Sequence, residues 1–171
     1  MAAEKKRYTP QELLERSQSV LSRVEALPLF QQASQIALYH ALPGEVQTAA
    51  FIERWYKQKA IYLPLVVGDD LRLLRYTGPD SLQKGSFGIC EPKPDGEEAD
   101  EGAIDLIIVP GVAFDRQHNR LGRGRGFYDR LLSSLSAPKV GICFDFQLID
   151  TVPTEPFDRP MVRVVSENFA G

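Results

Sequence analysis

Two strand-length apolar runs, QIALYHAL (35–42) and AIYLPLVV (60–67), flank a stretch from Glu45 to Gln58 in which Val46, Ala49, Ala50, Ile52 and Trp55 recur at helical spacing. Strand, helix and strand in that order form a βαβ unit, whose crossover makes the strands parallel and lays the helix over one face of their sheet. Further runs extend the same design. IDLIIVP (104–110) is the most apolar stretch and reads as a central parallel strand ending at Pro110-Gly111, because strands covered on both faces lose the alternation of half-exposed ones. KVGICF (139–144) and MVRVV (161–165) supply later strands, and LRLLRY (71–76) a more exposed one after the Gly68-Asp69-Asp70 turn. Leu13, Leu14, Ser17, Val20, Leu21 and Val24 mark a first helix, capped by Thr9 and stopped by Pro28. Gly126 to Leu135 marks another, with Phe127, Leu131, Leu132 and Leu135 inward. The fold class that follows is α/β: one three-layer α/β/α domain over residues 1–171, with a mainly parallel, Rossmann-like central sheet.

At 171 residues, 43% hydrophobic and 25% charged, the chain has the size and composition of one soluble domain, with no internal repeat and no long linker. The formal net charge of -3 argues against a sequence-independent nucleic-acid coat, which needs a basic surface. Any anion site must therefore be local. No apolar run approaches the ~20 residues that span a bilayer, and MAAEKKRYTP lacks the apolar core of a signal peptide. The expectation is a cytoplasmic monomer that acts on a small molecule, without a nucleic-acid or membrane partner. Cys90 and Cys143, in GIC and GICF, read as buried thiols rather than metal ligands or a disulfide pair. EPKPDGEEADEGAID (91–105), with seven acidic residues, two prolines and two glycines, reads as a mobile surface loop.

The unusual chemistry sits in NRLGRGRGFYDRLL (119–132), between the end of a buried strand and the start of a helix, where open α/β sheets place their ligands. Gly122, Gly124 and Gly126 allow the backbone to approach a ligand with its N–H groups exposed, and the helix start adds partial positive charge. Arg120, Arg123 and Arg125 add forked donors matched to phosphate oxygens. Together they describe a polyphosphate cradle, although the spacing is neither a P-loop nor a dinucleotide fingerprint. A plain basic turn before a helix, or one short RNA-contacting segment, would carry the same letters; the RNA reading needs repeats that an acidic chain with one copy lacks. Asp129, in the first turn of the helix, is either an ordinary helix-dipole residue or a ligand for Mg²⁺ beside a bound polyphosphate. Asp158, in PTEPFDRP, is the remote candidate for a second carboxylate.

IDLIIVPGVAFDRQHNRLGRGRGFYDRLL resembles the signature of the 5-formyltetrahydrofolate cyclo-ligase family, also called methenyltetrahydrofolate synthetases. The resemblance continues in order through IALY, Glu45 with Thr48, Lys59, Pro64, Glu91-Pro92, and Gln147 to Pro153 with Asp158, covering about 13–167. It implies a ligase of one-carbon metabolism that uses ATP and Mg²⁺ to close 5-formyltetrahydrofolate, polyglutamylated or not, into 5,10-methenyltetrahydrofolate, releasing ADP and phosphate. The formyl oxygen would take the γ-phosphoryl group as an imidoyl phosphate, and the 10-position nitrogen would then attack the activated carbon. Phosphoryl transfer depends on positioning and charge neutralisation, which suits arginines, backbone N–H groups and Mg²⁺.

Carried over position by position, the resemblance makes Arg120, Leu121, Gly122, Arg123, Gly124, Arg125, Gly126, Phe127 and Tyr128 the nucleotide loop. Arg123 and Arg125 would be catalytic. Arg123 to Phe127 would also line the folate side, with Glu45 facing the pteridine from the start of the crossover helix. Asp129 and Asp158 would hold the metal. Phe127 stands where the family usually has tyrosine, which removes a hydroxyl but keeps a ring for stacking. The family's Lys and Arg four residues apart on an N-terminal helix have no counterpart in register, and their role is not carried to Lys5, Lys6 or Arg7. A protein that binds folate or nucleotide without turnover would share all of these residues.

Overall fold

A computed structural model of the chain describes residues 7–85, 89–122, 126–154 and 159–171. Thr9 opens the first helix, α1 (Pro10–Glu25): its hydroxyl accepts the Glu12 N–H at 3.1 Å, while the Glu12 carboxylate accepts the Thr9 N–H at 3.2 Å. The exchange satisfies two donors that a helix start leaves open, and Pro10 sits where a missing N–H costs nothing. Pro28 does more than end this helix. It begins a second, α2 (Pro28–Gln32), whose Phe30 meets Trp55 edge-on at 5.0 Å.

The sheet is built from β1 (Gln35–Ala37), β2 (Ala60–Val67), β3 (Asp70–Arg75), β6 (Leu106–Val109), β9 (Lys139–Ile142) and β10 (Arg163–Val165), in the order β10-β9-β6-β1-β2-β3. All pairs are parallel except β2 with β3, a hairpin of six residue pairs closed at Gly68-Asp69. Two small hairpins stand outside it: β4 (Leu82–Lys84) with β5 (Cys90–Pro92), and β7 (Ala113–Phe114) with β8 (Arg120–Leu121). Neither is visible as a pattern in the sequence, since strands of two or three residues carry no periodicity.

Alternation along the strands separates the two cores. Ile36, Ile61, Leu63, Leu106, Ile108, Val140 and Ile142 face α1, α2 and α3 (Ala49–Trp55), while Ala37, Tyr62, Ile107, Val109 and Val164 face α4 (Phe127–Ser134). This is the expected three-layer domain. Burying each large aliphatic side chain is worth about 1.5–3 kcal/mol, so the central strands carry much of the stability. The parallel strands in chain order run 2-1-3-4-5 across the sheet, and the crossovers leave β1 and β6 in opposite directions. Between the carboxyl ends of β1 and β6 lies the switch point where such sheets bind ligands.

Four readings of the sequence need correction. The crossover helix begins at Ala49 rather than Glu45, because the residues before it are held in a loop by side-chain bonds described below. Phe127 belongs to neither core; it is half-buried with the Arg130 guanidinium 5.5 Å from its ring, and Tyr128 joins Leu131, Leu132 and Leu135 on the inward face. Cys90 is half-exposed, whereas Cys143 is buried. The acidic stretch 91–105 is not a free loop. Residues 90–92 form β5, and 97–99 lie along the outer edge of β3 through Arg75 N–H to Glu97 O and Ala99 N–H to Leu73 O, both 2.8 Å. At the opposite edge, Gly171 exchanges two backbone hydrogen bonds with Val164 of β10.

One close approach ties the sheet to the β7–β8 hairpin. A Cβ on Gly141 would stand 2.3 Å from Cε1 of Phe114, whose ring lies on the bare backbone of β9. Gly141→Ala should therefore destabilise the fold by about 1–3 kcal/mol through overpacking, seen as a lower urea midpoint with an unchanged slope.

Candidate active site

The chain leaving β1 is shaped by polar groups that cannot be left unpaired. The Thr48 hydroxyl donates to Tyr39 O at 2.8 Å and accepts the Ala41 N–H at 3.2 Å, while the Tyr39 hydroxyl donates to Val46 O at 2.9 Å. The Gln47 N–H reaches Ser17 Oγ of α1 at 2.9 Å, so the loop is bolted to the first helix. Glu45 sits inside this loop, its Oε1 accepting the Leu42 N–H at 2.8 Å. Local bonding therefore consumes the segment's helical tendency and fixes the Glu45 carboxylate at the sheet's carboxyl end.

On the other side of the switch point, β8 delivers Arg120. Its Nε donates to Pro110 O at 2.6 Å, the carbonyl just past β6, and its guanidinium stands 5.1 Å from the Tyr128 ring and 3.6 Å from the Asp129 carboxylate. The Arg120 side chain is only 8% exposed, so it is packed between Pro110, Tyr128 and Asp129 rather than reaching into solvent. Asp129, at 46%, keeps its carboxylate open to water. Gly126 caps α4 with φ of 73°, a left-handed conformation in which glycine is free of the steric penalty of other residues. The glycine placed by the sequence at the helix start thus has a definite backbone task.

Four of the residues singled out in the sequence, Glu45, Arg120, Tyr128 and Asp129, gather at the two sides of this junction. Burial pushes the Tyr128 phenol up, the Glu45 carboxylate adds to the shift and Arg120 opposes it. Tyr39, fully enclosed, is raised by burial first and by Glu45 second. These tyrosines are neutral hydrogen-bonding groups in the enclosed part of the site. Leu121 and Gly122 are half-buried at the end of β8. Arg123, Gly124, Arg125 and Asp158 lie outside the described residues, as do Lys5 and Lys6. Among the described residues no three His, Cys, Asp or Glu side chains form a metal-holding group.

A cavity of about 370 Å³ takes in His40 from the chain leaving β1, and nothing in the sequence announced it. His40, just beyond β1, Ile52 and Glu53 of α3, Tyr76 after β3, and Lys84 and Cys90 of the β4–β5 hairpin line its wall. The Tyr76 hydroxyl donates to the Glu53 carboxylate, and burial together with that carboxylate raises the phenol pKa. No spacing in the sequence pairs Glu53 with its partner, which lies 23 residues away on another element. An apolar floor with a few convergent polar groups is the usual form of a small-molecule site.

The sequence model of the 5-formyltetrahydrofolate cyclo-ligase family matches residues 1–167. The chain belongs to this family. The match starts earlier than the motifs alone indicated. A 5-formyltetrahydrofolate cyclo-ligase of Haemophilus influenzae is 36% identical over 156 residues, covering 86% of this chain and 83% of its own length. The enzyme of that name from Escherichia coli strain K12 is 34% identical over 166 residues, covering 92% and 91%. Among solved structures, the 5,10-methenyltetrahydrofolate synthetase of Aquifex aeolicus aligns with a TM-score of 0.87 at 36% identity, over 98% of this chain and 86% of that one. The chain is thus a cyclo-ligase family protein, and the family is one of ligases.

The pH response of the cavity wall can be tested. Burial lowers the His40 pKa below its ordinary value, so the folded state favours the neutral ring. The unfolded chain then takes up its proton at higher pH than the folded one, and stability should fall as pH drops through about 6.5. His40→Gln should flatten this part of a urea-midpoint profile recorded from about pH 8 to pH 5, leaving the more acidic limb in place.

Proposed function

We propose that this chain closes 5-formyltetrahydrofolate into 5,10-methenyltetrahydrofolate at the junction of β1, β6 and α4, with ATP as phosphoryl donor and Mg²⁺ bound alongside it. The supporting observation is the convergence itself. Arg120 of β8 and Asp129 of α4, on either side of the glycine-arginine stretch, meet past the carboxyl end of β6 at Pro110 O, and Glu45 and His40 follow the carboxyl end of β1, His40 in the wall of a cavity of about 370 Å³. The cavity takes the pteridine, and the loop takes the triphosphate on its backbone N–H groups and on Arg123 and Arg125. The chemistry asks for this division. A formyl oxygen is a poor leaving group until it is phosphorylated, after which the 10-position nitrogen attacks the same carbon and phosphate departs. Donors already in place where charge develops lower that barrier without having to reorganise.

The metal's donor set fits Mg²⁺, which prefers one or two carboxylates with phosphate oxygens and water. Asp129 is a hard oxygen donor left open to solvent, and Asp158 would be its companion. The bound metal would neutralise charge on the transferring phosphate. Arg120 contributes indirectly, holding Tyr128 and Asp129 against the end of β6. Glu45, beside Tyr128, would accept hydrogen bonds from the amino-pyrimidine edge of the substrate. A cytoplasmic location and a monomeric state complete the reading; no helix among the described residues is long and apolar enough to cross a membrane.

The test is turnover. Purified protein with 5-formyltetrahydrofolate and MgATP should generate the methenyl product, followed by its near-ultraviolet absorbance. Binding of both ligands without product would mark a protein that kept the site and lost the reaction. Asp129→Asn and Asp158→Asn should each raise the Mg²⁺ requirement, and the double variant should be less than additive; additive effects would place the two carboxylates in separate sites.

A further inference from the structure

Asp115, directly after β7, is 1% exposed, and its carboxylate receives four hydrogen bonds. The two oxygens have different tasks. Oδ1 accepts the N–H groups of Gln117 at 3.0 Å and Asn119 at 2.9 Å, closing the β7–β8 turn in which His118 takes a φ of 72°. Oδ2 accepts the Asn119 side-chain amide at 3.1 Å and the Val152 N–H at 2.9 Å. That last bond leaves the hairpin and joins positions 37 residues apart. Burial by itself would push the Asp115 pKa up, but the Val152 and Asn119 donors outweigh it and hold the carboxyl below its usual range. The group therefore stays ionised, and charge-assisted bonds are the strong ones.

The segment reached by this bond is the one after β9. The Ile149 N–H donates to Phe114 O at 2.8 Å, and the Gln147 amide donates to Gly111 O at 3.1 Å and Val112 O at 3.2 Å. Residues 111–121 and 147–152 thus form one platform, with the Asp115 carboxylate as its charged cross-link. The platform carries Arg120 to Pro110 O and to the side of Asp129. We infer that Asp115 is a positioning residue for the nucleotide half of the site: through Val152 it fixes the hairpin so that Arg120 holds Asp129 and Tyr128 in place for the triphosphate and its metal. This rests on the functional reading above and adds a residue that touches neither substrate. Because the platform shares no residue with the cavity wall, Asp115 acts on MgATP far more than on the folate.

An amide offers one acceptor oxygen where the carboxylate offers two, so Asp115→Asn leaves one pair of donors facing an NH₂ group. It should raise the KM for MgATP about tenfold or more and weaken MgATP binding in calorimetry by a similar factor, with the KM for 5-formyltetrahydrofolate within about twofold of the parent. Asn119→Ala removes one bond inside the hairpin and keeps the crossing one, and both constants should stay within about twofold. Val152→Pro deletes the crossing donor while leaving Asp115 intact, and should reproduce the selective loss even if Asp115→Asn does not fold. Equal rises in both KM values, unchanged MgATP binding in folded Asp115→Asn and Val152→Pro variants, or an Asn119→Ala effect as large as theirs would overturn the inference. A parent that binds MgATP without turning over would instead count against the proposed reaction, with calorimetry still reading the role of Asp115.

Discussion

The placement of the site depends on the Phe114 ring lying on β9. Gly141 leaves the sheet bare at one position, and the ring occupies the space that any side chain there would fill. Because Phe114 belongs to β7, the contact fixes where a two-strand hairpin leaves the sheet, and the hairpin in turn fixes Arg120. A rigid core element thus sets the position of the Arg120 side chain at the end of β6. Loops that carry function are commonly held in this way by the scaffold beneath them.

Charge is arranged with similar economy of position. The chain is acidic overall, with a formal net charge of -3, yet the candidate phosphate site draws on Arg120, Arg123 and Arg125 within six residues. Arg120 is spent on structure, bracing Pro110 O and Asp129, which leaves the loop beyond it to meet the ligand. Glu45 stands close enough to the Tyr128 ring to raise its phenol pKa, while Arg120 acts on the same group in the opposite sense.

What could be read from the letters was whatever repeats or stands in a motif. The long strand runs and the first helix follow from periodicity, and the cap at Thr9 from residue type. The glycine-arginine loop was conspicuous because its composition is costly without a purpose. Glu45 was recognised as a candidate but placed on a helix, since Val46 and Ala49 continue the helical spacing while the competing bonds from Thr48, Gln47 and Leu42 are invisible in one dimension. The cavity escaped notice because its wall is drawn from α3, the residues after β1 and β3, and a hairpin of three-residue strands, with the Tyr76–Glu53 pair spanning two of these pieces. Asp115 was not singled out in the sequence, because its crossing donor, the Val152 N–H, lies 37 residues away.

The ends of the sheet repay attention of a different kind. An open sheet exposes unpaired N–H and C=O groups at both borders, and these are templates for joining other chains. Here the acidic stretch covers β3 through Glu97 and Ala99, and the residues at 170–171 fold back on β10. Of the acidic residues of 91–105, Glu97 and Glu98 lie on this border beside Arg75 and Arg72, whereas Asp105 holds the Ser34 and Gln35 N–H groups at the start of β1. The chain's own backbone thus lies along part of each border, leaving fewer open groups there for an added strand.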